Sequence, residues 1–426
     1  MKKLWNRFKA NKFLLSFSML ASGSLIAQVI SIIVSPITTR LFTPQQLGAY
    51  TVVATAVSLF GPVICLKYDM AIVVAKTEKD TYSVMKLCLF LFIPLSVIIG
   101  IVYGVVFMRS DYSGFSLWMC ICAITVLLAA YGLNNILLAH NNKNSLYKLI
   151  SSVTVIKSGV NNILLVISGL FNVGITGLIC SQIVSSFVGL GHQSKDIRKK
   201  MGEFKEIDFE AIKKSFLKHR KQPVYNASSA LITTSIYSSI NLFIKSVYST
   251  EQLGLYSLSY RVLGIPFSVI SANIARVFFD SAVKEVTECG NYKRTFRKTI
   301  IVLSIIIIPM IMLMAILAPS IFSLFFGTEW ETAGKYVRLL APMFCLRLIA
   351  ESLTTSFIVS NKQHIELILQ SILLVGEFAV YLISYFRNLP IEQFLLLISL
   401  LYMIMHSNMI IVMYKLSKEG DNNVKN

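Results

Sequence analysis

The sequence predicts an all-α polytopic membrane protein with about 12 transmembrane helices, in two parallel-repeat six-helix bundles around a central cavity. Three observations lead to this prediction. The composition is strongly apolar, the basic residues concentrate in alternate gaps between the apolar runs, and one octapeptide occurs twice at equivalent places.

The composition predicts a membrane protein. Hydrophobic residues make up 55% of the chain and charged residues only 14%, and the mean hydropathy is +0.68. A soluble domain carries about 25% charged residues. The apolar residues form runs of roughly 20 or more, the length that crosses a hydrocarbon core of ~30 Å. The first run continues past Ile30 and many others follow, so we do not interpret it as a signal peptide.

Twelve runs are long enough to span a bilayer. Their predicted limits are 14–39, 45–66, 82–107, 115–139, 146–169, 173–191, 222–246, 252–275, 299–326, 335–360, 363–386 and 390–414.

The basic residues predict the orientation of the spans. They gather in both tails and in every second gap, whereas the intervening gaps, such as RLFTP (40–44), MRSDYSG (108–114) and RNLP (387–390), are short and nearly free of lysine. This alternation is the positive-inside pattern. It predicts that both termini are cytoplasmic, which requires an even number of spans and agrees with twelve.

The net charge of +19 does not indicate a nucleic-acid partner, because the cations lie between apolar runs and not on one continuous face. The seven cysteines are scattered through apolar runs. Cys120 and Cys122 would point about 200° apart on a helix, which argues against a shared metal site. We expect no metal and no cofactor.

The longest and most basic gap divides the chain into halves. We expect an N-terminal bundle of residues 1–192, a cytoplasmic linker of residues 193–221, a C-terminal bundle of residues 222–415 and a cytoplasmic tail of residues 416–426. Within the linker, three apolar residues share a helical face opposite three lysines. They are Phe209, Ile212 and Phe216, opposite Lys213, Lys214 and Lys218. A helix along the inner membrane surface and a solvated charged linker both explain this pattern.

The repeated octapeptide is TPQQLGAY (43–50) and STEQLGLY (249–256). Both copies follow the first span of their half on the outer side, so the sequence predicts two halves in the same orientation. Thr43 and Ser249 can cap a helix, and Gln46 or Gln252 would complete a capping box. The two tyrosines that close the copies are expected at interfacial depth. Direct contact with a substrate is the alternative role.

Five stretches together resemble a known family. They are RLFTPQQLGAY (40–50), LKYDMAIVVA (66–75), KQPVYNASSALI (221–232), YSLSYRVLGIP (256–266) and FGTEWETAGKYVRLLAP (326–342). In this order and over nearly the whole chain, the sequence resembles the polysaccharide biosynthesis proteins that flip lipid-linked oligosaccharides, the O-antigen (Wzx-like) flippase type. Each motif alone is weak, and together they do not specify the glycan.

The resemblance implies the fold of the multidrug/oligosaccharidyl-lipid/polysaccharide exporter superfamily in a bacterial inner membrane. It implies transport of undecaprenyl-diphosphate-linked oligosaccharide repeat units to the outer leaflet by alternating access, as in lipopolysaccharide biosynthesis. A polysaccharide polymerase and a chain-length regulator are candidate partners. The larger relative that flips the peptidoglycan precursor typically has fourteen helices, which argues against that member.

Ionisable residues inside the spans are the candidate site residues, because each costs a few kcal/mol on insertion scales. Lys157 lies ~16 Å into its span and Arg261 ~14 Å into its own, by helical rise. Asn161 shares the face of Lys157. With Arg347 in the tenth span, these residues are predicted to bind the diphosphate or an acidic sugar. Glu351 and Glu377 are the candidates for ion coupling.

Each candidate also has a structural interpretation. Arg347 and Glu351 stand four residues apart and would pair within one helix. The remaining charges are weaker candidates near the two faces of the membrane, since long side chains can extend to an interface without a functional role. They are Arg40, Lys67, Asp69 and Lys245.

Two other functions stay open. A small-molecule antiporter of the same superfamily would export drugs in exchange for ions. A membrane glycan polymerase is the enzymatic alternative, but no catalytic motif such as H-E-x-x-H or G-x-S-x-G is present in the sequence, and no nucleotide-binding loop is found. We therefore expect a transporter, not an enzyme.

Overall fold

The computed structural model of the protein describes residues 12–107 and 116–419. Within these ranges, 12 helices are long and apolar enough to cross a membrane. The predicted all-α fold and the predicted number of spans are confirmed. The outer gap at 108–114, the basic residues of the first eleven positions and residues 420–426 of the predicted tail lie outside the described ranges.

The first half of the chain forms seven helices and the linker forms four short ones. They are α1 (Lys12–Leu41), α2 (Pro44–Phe60), α3 (Asp69–Val74), α4 (Glu78–Phe107), α5 (Leu117–Lys143), α6 (Tyr147–Leu170) and α7 (Ile175–Phe187), then α8 (Leu190–Gln193), α9 (Lys195–Lys199), α10 (Met201–Lys205) and α11 (Phe209–Lys218).

The second half begins with a π-helical turn, Gln222–Ala227, that leads directly into the seventh span. Its helices are α12 (Ser228–Val247), α13 (Thr250–Cys289), α14 (Lys293–Phe326), α15 (Glu331–Leu353), α16 (Ser356–Val359), α17 (Gln363–Phe386) and α18 (Ile391–Glu419).

The predicted helix caps form where the octapeptide occurs. Thr43 accepts a hydrogen bond from the backbone N–H of Gln46, and the Gln46 side chain accepts one from the N–H of Thr43, which completes the capping box. In the second copy Ser249 accepts from the N–H of Gln252 at 3.1 Å. The Gln252 side chain instead accepts a hydrogen bond from the hydroxyl of Tyr336. The octapeptide is therefore a helix-start signal in both halves.

Helix α13 is much longer than its predicted span of 252–275. It runs for 40 residues and continues through Pro266. At a rise of 1.5 Å per residue, its length is about 60 Å, twice the ~30 Å thickness of the hydrocarbon core. The chain leaves α13 through Gly290, which has a φ of 74°. Glu285, near the end of α13, accepts hydrogen bonds from the backbone N–H groups of Arg294 and Thr295 in the first turn of α14.

Small residues allow the helices to pack closely. A Cβ atom at Gly104 of α4 would lie 2.6 Å from Ile121 of α5, and one at Gly132 of α5 would lie 2.7 Å from Phe92 of α4. At Gly334 of α15, a Cβ atom would lie 2.5 Å from the Cα of Pro319 in α14. Close approach of this kind stabilises helix pairs in membranes, where van der Waals contact replaces the hydrophobic drive between helices.

The chain divides into two compact units between Leu242 and Phe243, inside α12. The first part of α12 therefore belongs to unit 1, where Thr234 donates to the carbonyl oxygen of Leu59 at 3.0 Å. The side-chain amide of Asn241 donates to Thr55 at 3.0 Å. In unit 2, a buried apolar cluster that includes Phe278, Tyr292 and Phe296 lies where α13 ends and α14 begins. The predicted domain limits at 192 and 222, and the bundles around a central cavity, stay predictions.

The amphipathic segment of the linker is a helix, α11, and it packs on unit 1. Ile212 is 6% exposed, and the ring of Tyr68 stacks on that of Phe216 with centroids 5.7 Å apart. Lys218 pairs with Asp80 of α4 at 3.3 Å. These contacts show that α11 packs on unit 1, and its place at the membrane surface or in solvent stays a prediction.

The segment before α3 has an unusual backbone. Leu66 and Lys67 both have left-handed φ angles, 48° and 59°. Asp69 follows, and its Oδ1 is buried without a hydrogen-bond partner in the part of the chain that is described. Burial raises the pKa of the Asp69 carboxyl above its ordinary 3.8, against the opposing effects of the Lys67 charge and the backbone N–H of Asp69.

The contact at Gly334 predicts a loss of stability for Gly334→Ala. The new methyl group would meet backbone atoms of α14, which cannot move aside as a side chain can, and overpacking of this kind costs about 1–3 kcal/mol. Thermal unfolding of the purified protein in detergent measures the effect. Gly159→Ala in α6 is the matched control, because its Cβ would meet nothing within 4 Å. Equal midpoints for the two variants would contradict the packing argument.

The raised pKa of Asp69 predicts that Asp69→Asn stabilises the folded protein, by an amount that depends on pH. The folded protein holds this proton more tightly than the unfolded chain, so the wild type loses stability as the pH rises through the window between 3.8 and the raised pKa. Asp69→Asn removes that loss. Its unfolding midpoint, relative to that of the wild type, should be higher at about pH 7.5 than at about pH 4, near the lower end of this window. A gain that is larger at the lower pH would show that the sign is wrong.

Candidate functional site

Unit 1 contains a polar cavity of about 560 Å³. The helices that contribute most of its wall are α2, α5, α6 and α7. Its polar lining is made of Tyr50, Asn134, Asn135, Thr154, Lys157, Ser158, Asn161, Gln182, Ser185, Ser186 and Gln193. Among the described residues that line it, Lys157 is the one with a charged side chain. The cavity therefore combines one cation with many amide and hydroxyl groups.

The cation is held by an asparagine on a neighbouring helix. The Lys157 ammonium group on α6 donates a hydrogen bond to Oδ1 of Asn134 on α5. The amide nitrogen of Asn134 donates to the carbonyl oxygens of Ala130 at 2.7 Å and Ser186 at 3.0 Å. Because both carbonyls are acceptors, they orient the Asn134 amide with its oxygen toward the lysine. Lys157 is thus positioned without an opposing carboxylate among the residues that line the cavity.

The predicted polar stripe of α6 faces this cavity. Thr154, Lys157 and Asn161 all line it. The side-chain oxygen of Asn161 accepts a hydrogen bond from the hydroxyl of Ser185 on α7 at 3.3 Å. Ser158, which also lines the cavity, donates to the carbonyl oxygen of Ala27 in α1 at 2.8 Å and so joins α6 to α1.

The first octapeptide also reaches the cavity. Tyr50 donates a hydrogen bond to the side-chain oxygen of Gln182 on α7, and both residues line the cavity. Its counterpart Tyr256 is 1% exposed, and the Tyr256 hydroxyl has no hydrogen-bond partner among the described residues. Tyr256 therefore packs inside the protein, and the interfacial depth expected for the two tyrosines stays a prediction. Asn134 and Gln182 were not predicted as cavity residues, whereas for the octapeptide of Tyr50 substrate contact was the alternative role.

Unit 2 holds Arg347 and Glu351 as a pair on α15. The Nε of Arg347 donates to Oε1 of Glu351 at 2.7 Å, and one of its terminal nitrogens donates to the hydroxyl of Tyr260 at 2.5 Å. The guanidinium also lies 5.4 Å from the ring centre of Phe344. The two side chains are 15% and 32% exposed. The intrahelical pair considered at the sequence level is present.

Glu377 is completely buried on α17. Tyr402 of α18 donates to one of its carboxylate oxygens at 2.5 Å, and Tyr381 donates to the other at 3.3 Å. The Nδ1 of His406, one turn after Tyr402, lies 2.8 Å from the Tyr402 carbonyl oxygen, so that nitrogen carries the donated hydrogen. The tyrosines and His406 were not predicted. They are ordinary apolar-run residues in sequence, and only the fold brings them to Glu377.

The other candidates are dispersed. Arg261 is half-buried on α13, and Arg40 is exposed at the end of α1. Lys67 lies in the segment before α3, and Asp69 is the first residue of α3. Lys245 is only 9% exposed, so the expectation that it extends to an interface is wrong. Across the described residues, no group of three or more His, Cys, Asp or Glu side chains could hold a metal ion.

A family model described as "Polysaccharide biosynthesis protein" matches residues 37–335. A comparison with curated proteins finds no match. Among solved structures, an inward-facing multidrug resistance MATE family transporter of the MOP superfamily is similar with a TM-score of 0.71 and 15% identity, over 92% of this chain and 95% of that chain. The lipid II flippase MurJ, in an inward closed conformation, is similar with a TM-score of 0.73 and 14% identity, over 94% of this chain and 90% of that chain. A MOP superfamily transporter from Pyrococcus furiosus has a TM-score of 0.54 and 14% identity, over 96% of this chain and 94% of that chain.

At these identities the solved structures show the fold alone, which is that of MOP superfamily transporters. Two of the three are described as transporters and one as a flippase. This fold agrees with the prediction of a multi-pass membrane protein of this superfamily. The family match covers well over half of the sequence and agrees with the resemblance carried by its motifs. The chain therefore belongs to the polysaccharide biosynthesis protein family.

Proposed function

We propose that this protein flips undecaprenyl-diphosphate-linked oligosaccharide repeat units, of an O-antigen or similar surface polysaccharide, from the cytoplasmic to the outer leaflet of a bacterial inner membrane. The observation that carries the proposal is the cation Lys157 in a polar cavity of a membrane-spanning unit, in a chain of the polysaccharide biosynthesis family. Both termini are cytoplasmic in this proposal, and movement follows alternating access.

The cavity suits the two parts of such a substrate. Amide and hydroxyl side chains such as Asn161 and Gln182 can both donate and accept hydrogen bonds, as sugar hydroxyls do. A diphosphate requires charge-assisted donors, which are about twice as strong as neutral ones. Lys157 supplies such a donor, and its neutral partner Asn134 can be exchanged for phosphate without leaving a carboxylate unpaired. A lysine within a span costs about 2.5–3.5 kcal/mol on insertion scales, so its retention there favours a functional role.

Arg261 and Arg347 are the proposed anion-binding residues of unit 2. Arginine offers a planar fork of donors that matches phosphate and carboxylate oxygens. Arg347 pairs with Glu351 in this structure, so an anionic substrate must compete with that carboxylate. Glu351 therefore tunes the affinity of Arg347, and its protonation would release the arginine for the substrate. This exchange links substrate binding to a proton, which is the role we propose for Glu351.

Glu377 is the second candidate for ion coupling. Its carboxylate accepts hydrogen bonds from two tyrosine hydroxyls within a fully buried site. Burial makes the charged form of a carboxyl group costly, and hydrogen bonds donated to the carboxylate offset that cost, so a change in these contacts would change its charge. The sequence contains no nucleotide-binding loop, so an ion gradient or substrate turnover drives transport in this proposal.

A small-molecule antiporter is the second candidate function. The similarity to a multidrug resistance MATE family transporter, at a TM-score of 0.71, favours it. A lysine in the unit 1 cavity disfavours cationic drugs as its cargo.

A deletion strain separates the candidate functions. We expect loss of surface polysaccharide, with repeat units retained on the inner leaflet. Drug hypersensitivity with intact polysaccharide would instead support the antiporter. Single, unpolymerised units on the cell surface would indicate a polymerase. A requirement for a polysaccharide polymerase or a chain-length regulator is tested by removing each of them in the same strain.

The cationic cavity predicts that Lys157→Ala abolishes surface polysaccharide at normal expression, because the phosphate loses its charge-assisted donor. Lys157→Arg should retain part of the activity. The matched control is Lys148→Ala on the same helix, where the lysine is exposed. Arg261→Ala should also abolish surface polysaccharide, and Arg261→Lys should retain part of it. Polysaccharide is measured by gel staining of the complemented deletion strain, and wild-type amounts in both alanine variants would reject the cationic site.

The Arg347–Glu351 pair predicts different outcomes for its two partners. If Arg347 binds the substrate, Arg347→Gln abolishes transport. Glu351→Gln leaves substrate binding intact and abolishes only the dependence of transport on external pH. Transport is followed in vesicles with a labelled lipid-linked oligosaccharide across a pH series. Equal losses in both single variants, with recovery in the double glutamine variant, would show that the pair serves only the fold.

A further inference from the structure

A second large groove lies in unit 1, apart from the polar cavity. It has a volume of about 660 Å³ and runs between α4 and the linker segment that includes α10 and α11. Residues of α4 on one wall include Lys86, Phe90 and Ile93, and the linker wall includes Phe204, Ile207 and Ile212. In the polar cavity most lining side chains are polar, whereas here nearly all are apolar. The groove therefore suits a hydrocarbon ligand.

The groove is continuous with the membrane-facing surface of α4. Phe90 and Ile93 are 62% and 54% exposed, and the exposed apolar face continues along the helix through Ile98 and Ile101, at 55% and 46%. This helix is long and apolar enough to cross a membrane. In a bilayer, an apolar surface of this kind contacts lipid chains. A ligand that reaches the groove along this face of α4 would therefore be a membrane lipid.

A single cation stands at the groove. Among the described residues that line it, Lys86 is the charged one, and none is acidic. The Lys86 ammonium donates hydrogen bonds to the carbonyl oxygens of Lys205 at 3.1 Å and Ile207 at 2.8 Å. It also lies 5.4 Å from the ring centre of Phe204. An ammonium group has three N–H donors, so these two bonds leave one for a ligand.

The groove lies where the linker is attached to α4. Lys86 ties the linker to α4 through its two carbonyl bonds, and Ile207 and Ile212, both buried, close the linker wall. A hydrocarbon chain in the groove would contact both walls at once. It would therefore complete the packing between the third span and the linker that joins the two halves of the sequence.

We propose that this groove binds one anionic glycerophospholipid of the leaflet next to the linker, with an acyl chain between α4 and α11 and its phosphate at Lys86. The bound lipid stabilises the docking of the linker on unit 1. The proposal does not depend on the substrate of the transporter, and it stands or fails separately from the flippase proposal.

Native mass spectrometry of the delipidated full-length protein tests the apolar part of the site. The protein is titrated with phosphatidylglycerol and with phosphatidylcholine of the same chains. The tightest site should prefer phosphatidylglycerol. Ile93→Trp fills the groove and should weaken that site at least about tenfold, which is ~1.4 kcal/mol. Ile98→Trp is the matched control, because it adds the same ring to an equally exposed position of α4 outside the groove.

Lys86 variants test the headgroup part. Lys86→Met should reduce the affinity for phosphatidylglycerol to that for phosphatidylcholine, and Lys86→Arg should retain the preference. Lys79→Met is the control, since Lys79 is an exposed lysine of the same helix that does not line the groove. Gel filtration and thermal unfolding confirm that each variant is folded before binding is compared.

Several results would overturn the proposal. One is unchanged phosphatidylglycerol binding in folded Ile93→Trp, and another is equal binding of the two phospholipids by the wild type. A third is a site that takes a polyprenyl phosphate and no phospholipid, which would assign the groove to the transported lipid. Loss of surface polysaccharide in Lys157→Ala with normal phospholipid binding would leave this inference intact.

Discussion

An unpaired hydrogen-bonding group in hydrocarbon costs several kcal/mol, and this cost organises the whole molecule. The backbone meets it by forming helices through the twelve spans. Hydroxyl side chains meet it by donating to the carbonyl one turn back, as Thr51 does to Leu47 at 2.8 Å and Thr55 to Thr51 at 2.7 Å. Longer polar side chains bond less readily to the backbone carbonyl oxygens of their own helix. They find partners on neighbouring helices, and these cross-helix bonds define the two polar regions.

The two units solve that problem with different chemistry. Unit 1 surrounds one lysine with neutral amides and hydroxyls, so its cavity keeps a net positive character. Unit 2 pairs an arginine with a glutamate and buries a second glutamate under tyrosine hydroxyls. A cation with neutral neighbours suits the capture of an anion, whereas a paired and a buried carboxylate suit exchange of protons. In the proposed function, unit 1 therefore only binds the substrate, whereas unit 2 combines substrate-binding arginines with the carboxylates proposed for coupling.

Much of the fold could be predicted from the sequence, because a run of apolar residues long enough to cross a bilayer is a local and strong signal. The capping box at Thr43 and the pair Arg347–Glu351 were also predictable, since each depends on residues three or four apart. Helix α13 exceeded its prediction because its continuation to Cys289 depends on packing of residues such as Phe278 in the unit 2 cluster, and not on membrane length.

The site was predictable only in part. Lys157 and Asn161 stand out because they are polar, deep in a span and four residues apart. Asn134 and Gln182 are neutral residues among many in apolar runs, and their importance comes from a partner on another helix. Tyr402 gives no sequence signal at all, because only tertiary packing shows that its hydroxyl reaches Glu377.

The length of α13 has a mechanical consequence. A continuous helix behaves as a stiff rod, and its far end moves in proportion to its distance from any pivot. Arg261 lies in the first third of this rod and Phe278 in the last third. A small tilt about the level of Arg261 is therefore amplified into a larger lateral displacement of the Phe278 cluster. Because Glu285 caps the next helix, α14 is pulled along with it. The length of α13 would thus connect a tilt at Arg261 to the position of the helix end at Cys289.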